Sequence, residues 1–167
     1  PFRYVTFLRH PVEQIRSRYN HMTSSRSHPL HHLARQGISL EEFVRVSPDN
    51  YQTRTLSGIE PIPGQGYPAL TGQDLERIKA NVEDHFGLVG IAEEFDASLI
   101  LARRTLGLAQ VRYVSRNVRR RPGQAPPLSD STRQIVEDHA RFDLALYRWA
   151  LARLDRAVEA DREAFDS

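Results

Sequence analysis

The sequence predicts an α/β domain in which a parallel sheet is flanked by helices and helix dominates the residue count. Two short apolar runs, Tyr4 to Leu8 and Gly87 to Ile91, read as buried strands, and each leads straight into a helical pattern. From Ser129 onward the pattern is helical to near the end. The 167 residues suffice for one domain with a core of its own.

The first strand runs into Arg9, His10 and Pro11. Proline fixes φ at a helical value and suits a first helical position. Past it, Val12, Ile15, Tyr19 and Met22 recur at helical spacing and mark an amphipathic helix on a sheet. Arg9 thus sits where a strand ends and a helix begins, the edge at which α/β folds bind ligands. A helix start adds unpaired N–H groups and partial positive charge, both suited to an anion. Ser17 shares a helix face with Glu13 and His21 by i, i+4 spacing. A guanidinium at the strand end and a hydroxyl farther along can serve one phosphate. The plain alternative is a strand, a turn and a helix with a surface arginine.

Thr23 to His32 is polar and rich in histidine and reads as a loop. His28, His31 and His32 lack a carboxylate at metal-binding spacing, so an exposed loop or an acceptor-site loop is favoured over a metal site. Ser39 to Val46 reads as a short helix with Ser39 and Glu42 in capping-box positions. Residues 49–58, with Asn50, Gln52 and Arg54 alternating, read as an extended segment whose Gln52 and Arg54 suit a sugar or an anionic acceptor; a polar surface strand or turn is the alternative. The clustered Gly64, Gly66 and Gly72, interleaved with Pro61, Pro63 and Pro68, mark a loop and not a phosphate cradle. No GxxxxGK[ST] string is present.

Thr71 to His85 reads as a helix capped by Thr71 and Asp74, with Leu75, Ile78, Val82 and Phe86 as its buried stripe. After the second strand, Phe95, Leu99, Ala102 and Leu106 are expected to face inward on a helix that stops at Gly107. Glu93 and Glu94 at the strand end are a conceivable general base or plain acidic residues of a first turn. Val111 to Val114 reads as a third strand. Arg116, Arg119, Arg120 and Arg121 then crowd into a Pro- and Gly-punctuated loop, where like charges repel unless an anion sits among them. A solvated run or a nucleic-acid contact is the alternative, and the absence of interleaved aromatic residues speaks against the latter. In the closing helical stretch Ser131 can cap, with Gln134 at the capping-box position, and Phe142, Leu146, Trp149 and Leu154 form the apolar face.

Composition narrows the chemistry. The net charge of +2 is too small to argue for nucleic acid or membrane as a partner. Lys79 is the single lysine, so nearly all cationic side chains are the planar, bidentate kind, which is also what a GC-rich genome yields. There is no cysteine, hence no thiolate nucleophile or Cys-ligated metal. No apolar run reaches membrane-spanning length and no signal peptide is present.

Four segments, in order, resemble PAPS-dependent sulfotransferases, closest to the carbohydrate (Golgi-type and bacterial) branch. Arg9-x-Pro11-Val12-Glu13, with Ser17 eight residues after the arginine, is similar to that family's 3′-phosphate-binding segment. Asn50-x-Gln52-x-Arg54 followed by Leu-Ser-Gly, Gly90-Ile91-Ala92-Glu93-Glu94-Phe95, and Asn117 to Pro122 with Asp143-x-x-x-Tyr147-x-x-Ala150 complete the order. His10 departs from the family's usual Asp. The resemblance implies a P-loop-kinase-like sulfotransferase fold and a PAPS (3′-phosphoadenosine 5′-phosphosulfate) co-substrate, with no metal requirement. Arg9, Ser17 and the basic residues Arg119, Arg120 and Arg121 would hold the nucleotide. Gln52, Arg54 and His21 would meet a hydroxylated acceptor, a glycan by the branch. The catalytic base is expected upstream of residue 1, with His10 and His21 as fallbacks, because the chain reads as the C-terminal part of a longer domain that lacks the 5′-phosphosulfate loop. A bacterial member would be cytoplasmic. Rival readings are a P-loop kinase relative, which would need magnesium, and a non-catalytic anion-binding module.

Overall fold

The computed structural model describes residues 3–108, 110 and 127–166, with side chains through residue 160. Within these, the chain is a helix-dominated α/β fold with one small parallel sheet. Strand β1 (Tyr4–Leu8) pairs in parallel with β2 (Phe86–Ile91), Val5 opposite Leu88 and Leu8 opposite Ile91. The Ala92 N–H donates to the Leu8 carbonyl at 2.8 Å and carries the ladder to the strand ends. Gly90 lies beneath the Phe7 ring, where a Cβ would stand 2.5 Å from the nearest ring carbon.

The expectation of a buried first strand is corrected. Tyr4, Val5 and Phe7 are 63%, 45% and 37% exposed, and only Leu8 is buried. The cause is unequal packing: the helices cover β2, and little of the described chain covers β1 beyond its partner strand.

Helix α1 (Pro11–Ser24) buries Pro11, Val12, Ile15 and Met22. Tyr19 is half-buried and donates its hydroxyl to the Ile38 carbonyl at 2.8 Å. The histidine-rich stretch is loop only over 25–30, because α1 runs to Ser24 and a short helix, α2 (His31–Arg35), begins at His31. Helix α3 (Leu40–Val46) carries the expected capping box: the Ser39 hydroxyl accepts from the Glu42 N–H and the Glu42 carboxylate accepts from the Ser39 N–H.

Residues 49–58 are not extended. Tyr51–Ser57 is a helix, α4, entered through Asn50 in the left-handed region (φ 47°) and closed by Gly58 (φ 65°). Its polar residues Gln52, Thr53 and Arg54 are its buried ones, which hides the helix from any reading based on apolar periodicity. The Pro- and Gly-rich stretch that follows is irregular apart from one bridge between Ile62 and Gly66. Helix α5 (Gly72–His85) starts at the Thr71 and Asp74 capping box and buries Leu75, Ile78 and Val82.

Helix α6 (Phe95–Thr105) stops at Gly107 as expected, yet its inward side differs. Phe95 and Leu106 are exposed, and Ser98 and Ala102 are the buried residues. The Ser98 hydroxyl accepts from the Ile91 N–H at 2.9 Å and donates to the Ile91 carbonyl, so a small polar residue seats α6 against the end of β2. The closing helical stretch is two helices, α7 (Asp130–His139) and α8 (Arg141–Asp166), separated at Ala140 (φ −113°, ψ 26°). The cap of α7 is Ser129 and not Ser131: its hydroxyl accepts from the Thr132 N–H at 3.1 Å. The strand expected at Val111 to Val114 and the basic loop with Arg119, Arg120 and Arg121 lie outside the described residues.

Two apolar clusters form. One gathers Leu8, Leu75, Ile78, Val82, Val89, Ile91, Leu146, Tyr147, Ala150 and Leu154 around the sheet, and the other gathers Val12, Ile15, Val44, Val136 and Ala140. Helix α1 therefore leaves the sheet edge with its first turns anchored in the second cluster, and Arg9 falls at the junction.

Candidate functional site

Arg9 follows the last residue of β1, and its main chain is gripped on both sides by one side chain. Gln52 Oε1 accepts from the Arg9 N–H and Gln52 Nε2 donates to the Arg9 carbonyl, each at 2.8 Å. The buried amide thus completes the backbone pairing that a neighbouring strand would supply. The Arg9 guanidinium itself is exposed and has no partner among the described residues. Its position is held while none of its five donors is taken by a described residue.

Gln52 is held in turn. The first N–H groups of α4 are satisfied by Asp143 of α8: Asp143 Oδ2 accepts from the Gln52 N–H at 3.1 Å, and Oδ1 accepts from the Thr53 N–H and the Thr53 hydroxyl, both at 2.7 Å. In return Asn50 Oδ1, just before α4, accepts from the Phe142 N–H at 2.7 Å in the first turn of α8. Each helix start is capped by a residue of the other. Burial pushes the Asp143 carboxyl above its ordinary range, against the opposing pull of the Thr53 and Gln52 donors.

Next to Arg9, His10 occupies the cap position of α1 without a side-chain cap bond. Its N–H donates to Glu93 Oε1 at 3.0 Å, and Tyr147 donates its hydroxyl to Glu93 Oε2 at 3.3 Å. The His10 ring stands edge-on to Tyr147, with centroids 5.2 Å apart. Burial, followed by the nearby Glu93 and Glu94 carboxylates, pushes the Tyr147 hydroxyl up to about 12. Glu93 therefore ties the ends of both strands to α8. With both oxygens engaged, it is a clasp first and a base only if those bonds are released.

Ser17 is exposed on α1, its hydroxyl unpartnered among the described residues. Its expected face-mate Glu13 instead pairs with Arg16 at 3.1 Å. His21 is exposed farther along α1 and stacks edge-on with His28, centroids 5.3 Å apart. The two residues expected to meet an acceptor, Gln52 and Arg54, are corrected to internal roles. Gln52 grips Arg9. Arg54, 5% exposed, donates from Nε and Nη2 to the Asp49 carboxylate and from Nη1 to the Pro68 carbonyl, with Tyr67 stacked 4.8 Å from its guanidinium carbon. An arginine so engaged fastens the loop that precedes α5 and presents no free donor fork to a ligand.

The sequence reading quoted Asp143 and Asn50 without giving either a role, and it passed over Arg18. Arg18 lies across the Tyr51 ring at 4.2 Å, and burial pulls its pKa below the usual guanidinium value. The only local signal for Asp143 was a carboxylate on the apolar side of its helix. Among the described residues no group of three or more His, Asp or Glu side chains is arranged to hold a metal, and no helix is long and apolar enough to cross a membrane. No protein-family model, no curated protein and no solved structure matches this chain.

Proposed function

We propose that this chain contributes the 3′-phosphate side of the nucleotide site of a PAPS-dependent sulfotransferase acting on a hydroxylated, glycan-type acceptor. The observation that carries the reading is Arg9. Its main chain is clamped by Gln52, its exposed guanidinium has no partner among the described residues, and it stands at the carboxyl end of a parallel strand where a helix begins. An arginine restrained at the backbone and free at the fork is prepared for a phosphate. The open hydroxyl of Ser17 on the same helix supports a second contact. Arg119, Arg120 and Arg121 belong to the same reading as further phosphate donors.

In the reaction an acceptor hydroxyl attacks sulfur, the bond from sulfur to the 5′-phosphate oxygen breaks, and a base takes the hydroxyl proton. Adenosine 3′,5′-bisphosphate leaves with the added charge on its 5′-phosphate, which cationic and N–H groups on that side offset, while Arg9 holds the 3′-phosphate. The proton acceptor is assigned to no residue of this chain. Of the seven histidines, His10 and His21 are the fallback candidates, and of these His10 is the nearer to Arg9 in sequence.

The test is calorimetric titration of adenosine 3′,5′-bisphosphate against a 5′-AMP control. Binding is expected to need the 3′-phosphate and to weaken about tenfold or more in Arg9→Ala, with a smaller loss in Ser17→Ala. The melting temperature of Arg9→Ala should stay unchanged. Equal affinity for the two nucleotides, in this chain and in one extended upstream, overturns the reading. A magnesium requirement for binding favours a phosphotransferase instead.

A further inference from the structure

The stretch from α1 through α2 carries no acidic side chain after Glu13. Between Glu13 and Glu41 there is no carboxylate, while the interval holds four arginines (Arg16, Arg18, Arg26, Arg35) and four histidines (His21, His28, His31, His32). Of the bounding carboxylates, Glu13 pairs with Arg16, which leaves Arg18, Arg26 and Arg35, and Glu41 accepts from the Thr132 hydroxyl at 2.6 Å. A chain segment of this kind is self-repelling unless something of opposite charge resides on it.

Three of these residues surround one hollow. Arg26, His31 and Arg35 line a recess of about 520 Å³ between the turn after α1 and helix α2. His31 is oriented by a hydrogen bond from Nδ1 to the Met22 carbonyl at 3.0 Å; since a carbonyl only accepts, that nitrogen carries the proton and Nε2 is the ring's free nitrogen. The turn is braced by the Leu30 N–H, which donates to His28 Nδ1 at 3.1 Å. Arg26 and Arg35 are exposed and have no partner among the described residues. Two guanidinium groups that line one hollow, neither opposed by a described carboxylate, form a receptor for an oxyanion; the adjacent His31 Nε2, without a proton in this tautomer, adds no donor.

We propose that this recess is an anion-binding site, separate from Arg9, for the sulfate or carboxylate group of an acidic small molecule, with an acidic oligosaccharide as its probe. Among the described residues no Trp, Tyr or Phe lines it, so none of them offers a base a stacking platform, and a nucleic acid is the poorer fit. The inference does not rest on the nucleotide reading: it concerns other residues and another ligand.

The experiment titrates trigalacturonate, neutral maltotriose and sodium sulfate into the whole chain at constant ionic strength. The variants are Arg26→Ala/Arg35→Ala and, as an equal-charge control, Arg133→Ala/Arg148→Ala, whose exposed arginines lie on α7 and α8. Circular dichroism checks that both variants fold. The acidic saccharide is expected to bind, the neutral one not, and the recess variant alone to lose about tenfold or more in affinity. Binding of sulfate without trigalacturonate assigns the site to the free ion and retains it. Equal binding of maltotriose, equal loss in the control variant, or no binding of either anion overturns the proposal. Adenosine 3′,5′-bisphosphate titrated into the recess variant should bind as in the unaltered chain, so failure here and failure of the nucleotide reading are told apart.

Discussion

Asp143 and Asn50 each cap the helix to which the other is attached, and this exchange holds Gln52 where it can grip Arg9. Asp143→Ala leaves two N–H groups and a hydroxyl of α4 buried without an acceptor and should cost about 3 kcal/mol, read as a lower urea midpoint. Its pH dependence has a definite sign. Because burial raises its folded pKa above the ordinary 3.8, the stability linked to this group is fully present below that value and is lost as pH rises through the folded pKa. Asp143→Asn should therefore cost more at pH 3 than at pH 7, as measured by urea unfolding at the two pH values. Gln52 separates positioning from binding. Gln52→Ala removes both bonds to the Arg9 main chain and should lower stability by about 1–2 kcal/mol and nucleotide affinity together, whereas Arg9→Ala should lower affinity alone.

At the scale of elements, the capping boxes of α3 and α5 were legible because their partners lie three residues apart and need no tertiary context. Helix α4 was not legible, since what makes it a helix is Asp143, about ninety residues away, accepting from Gln52 and Thr53. The role of Gln52 was hidden because its amide grips Arg9, 43 residues away, whereas Arg54 pairs locally with Asp49 and was hidden only because its alternation with Gln52 looked like an exposed polar edge. For α6 the apolar residues misled: Phe95 and Leu106 are outside because close approach to β2 selects Ser98 and Ala102. Arg9 and Ser17 were legible as positions, but the clamp on Arg9 was not, for it comes from a helix that sequence reading had made extended. The caps respond to acid in the sense opposite to Asp143. Bonds from Ser39 hold Glu42 below its ordinary 4.5, and bonds from Thr71 hold Asp74 below its ordinary 3.8. Their contribution is present above those values and lost as pH falls through the folded pKa values. Glu42→Gln with Asp74→Asn should cost more at pH 7 than at pH 3, and far-UV circular dichroism of urea-unfolding series checks the difference.

For the whole molecule, the question is whether the two apolar clusters melt as one. The sheet cluster holds Leu146 and the partly buried Trp149, and the other holds Val136. Trp149 is the single tryptophan, so its fluorescence reports the sheet cluster while far-UV circular dichroism reports helices of both. The links between them are specific. Helix α1 starts at the sheet edge and packs in the second cluster, and α7 passes into α8 through the bend at Ala140, itself a fully buried member of the second cluster. The Asn50 and Asp143 exchange adds a polar tie at the same junction. Such ties make a single cooperative transition the expected behaviour. Leu146→Ala should cost about 3 kcal/mol and Val136→Ala about 2 kcal/mol by the loss of buried methyl groups. Each should shift the fluorescence and dichroism midpoints together, and the double variant should lose close to the sum. If Val136→Ala lowers the dichroism midpoint and leaves that of Trp149 in place, the clusters unfold separately. Arg9 would then keep its clamp until the sheet melts, because Gln52 sits on α4, whose Leu56 packs on the sheet cluster, and nucleotide affinity in Val136→Ala would follow the Trp149 signal and not the dichroism signal.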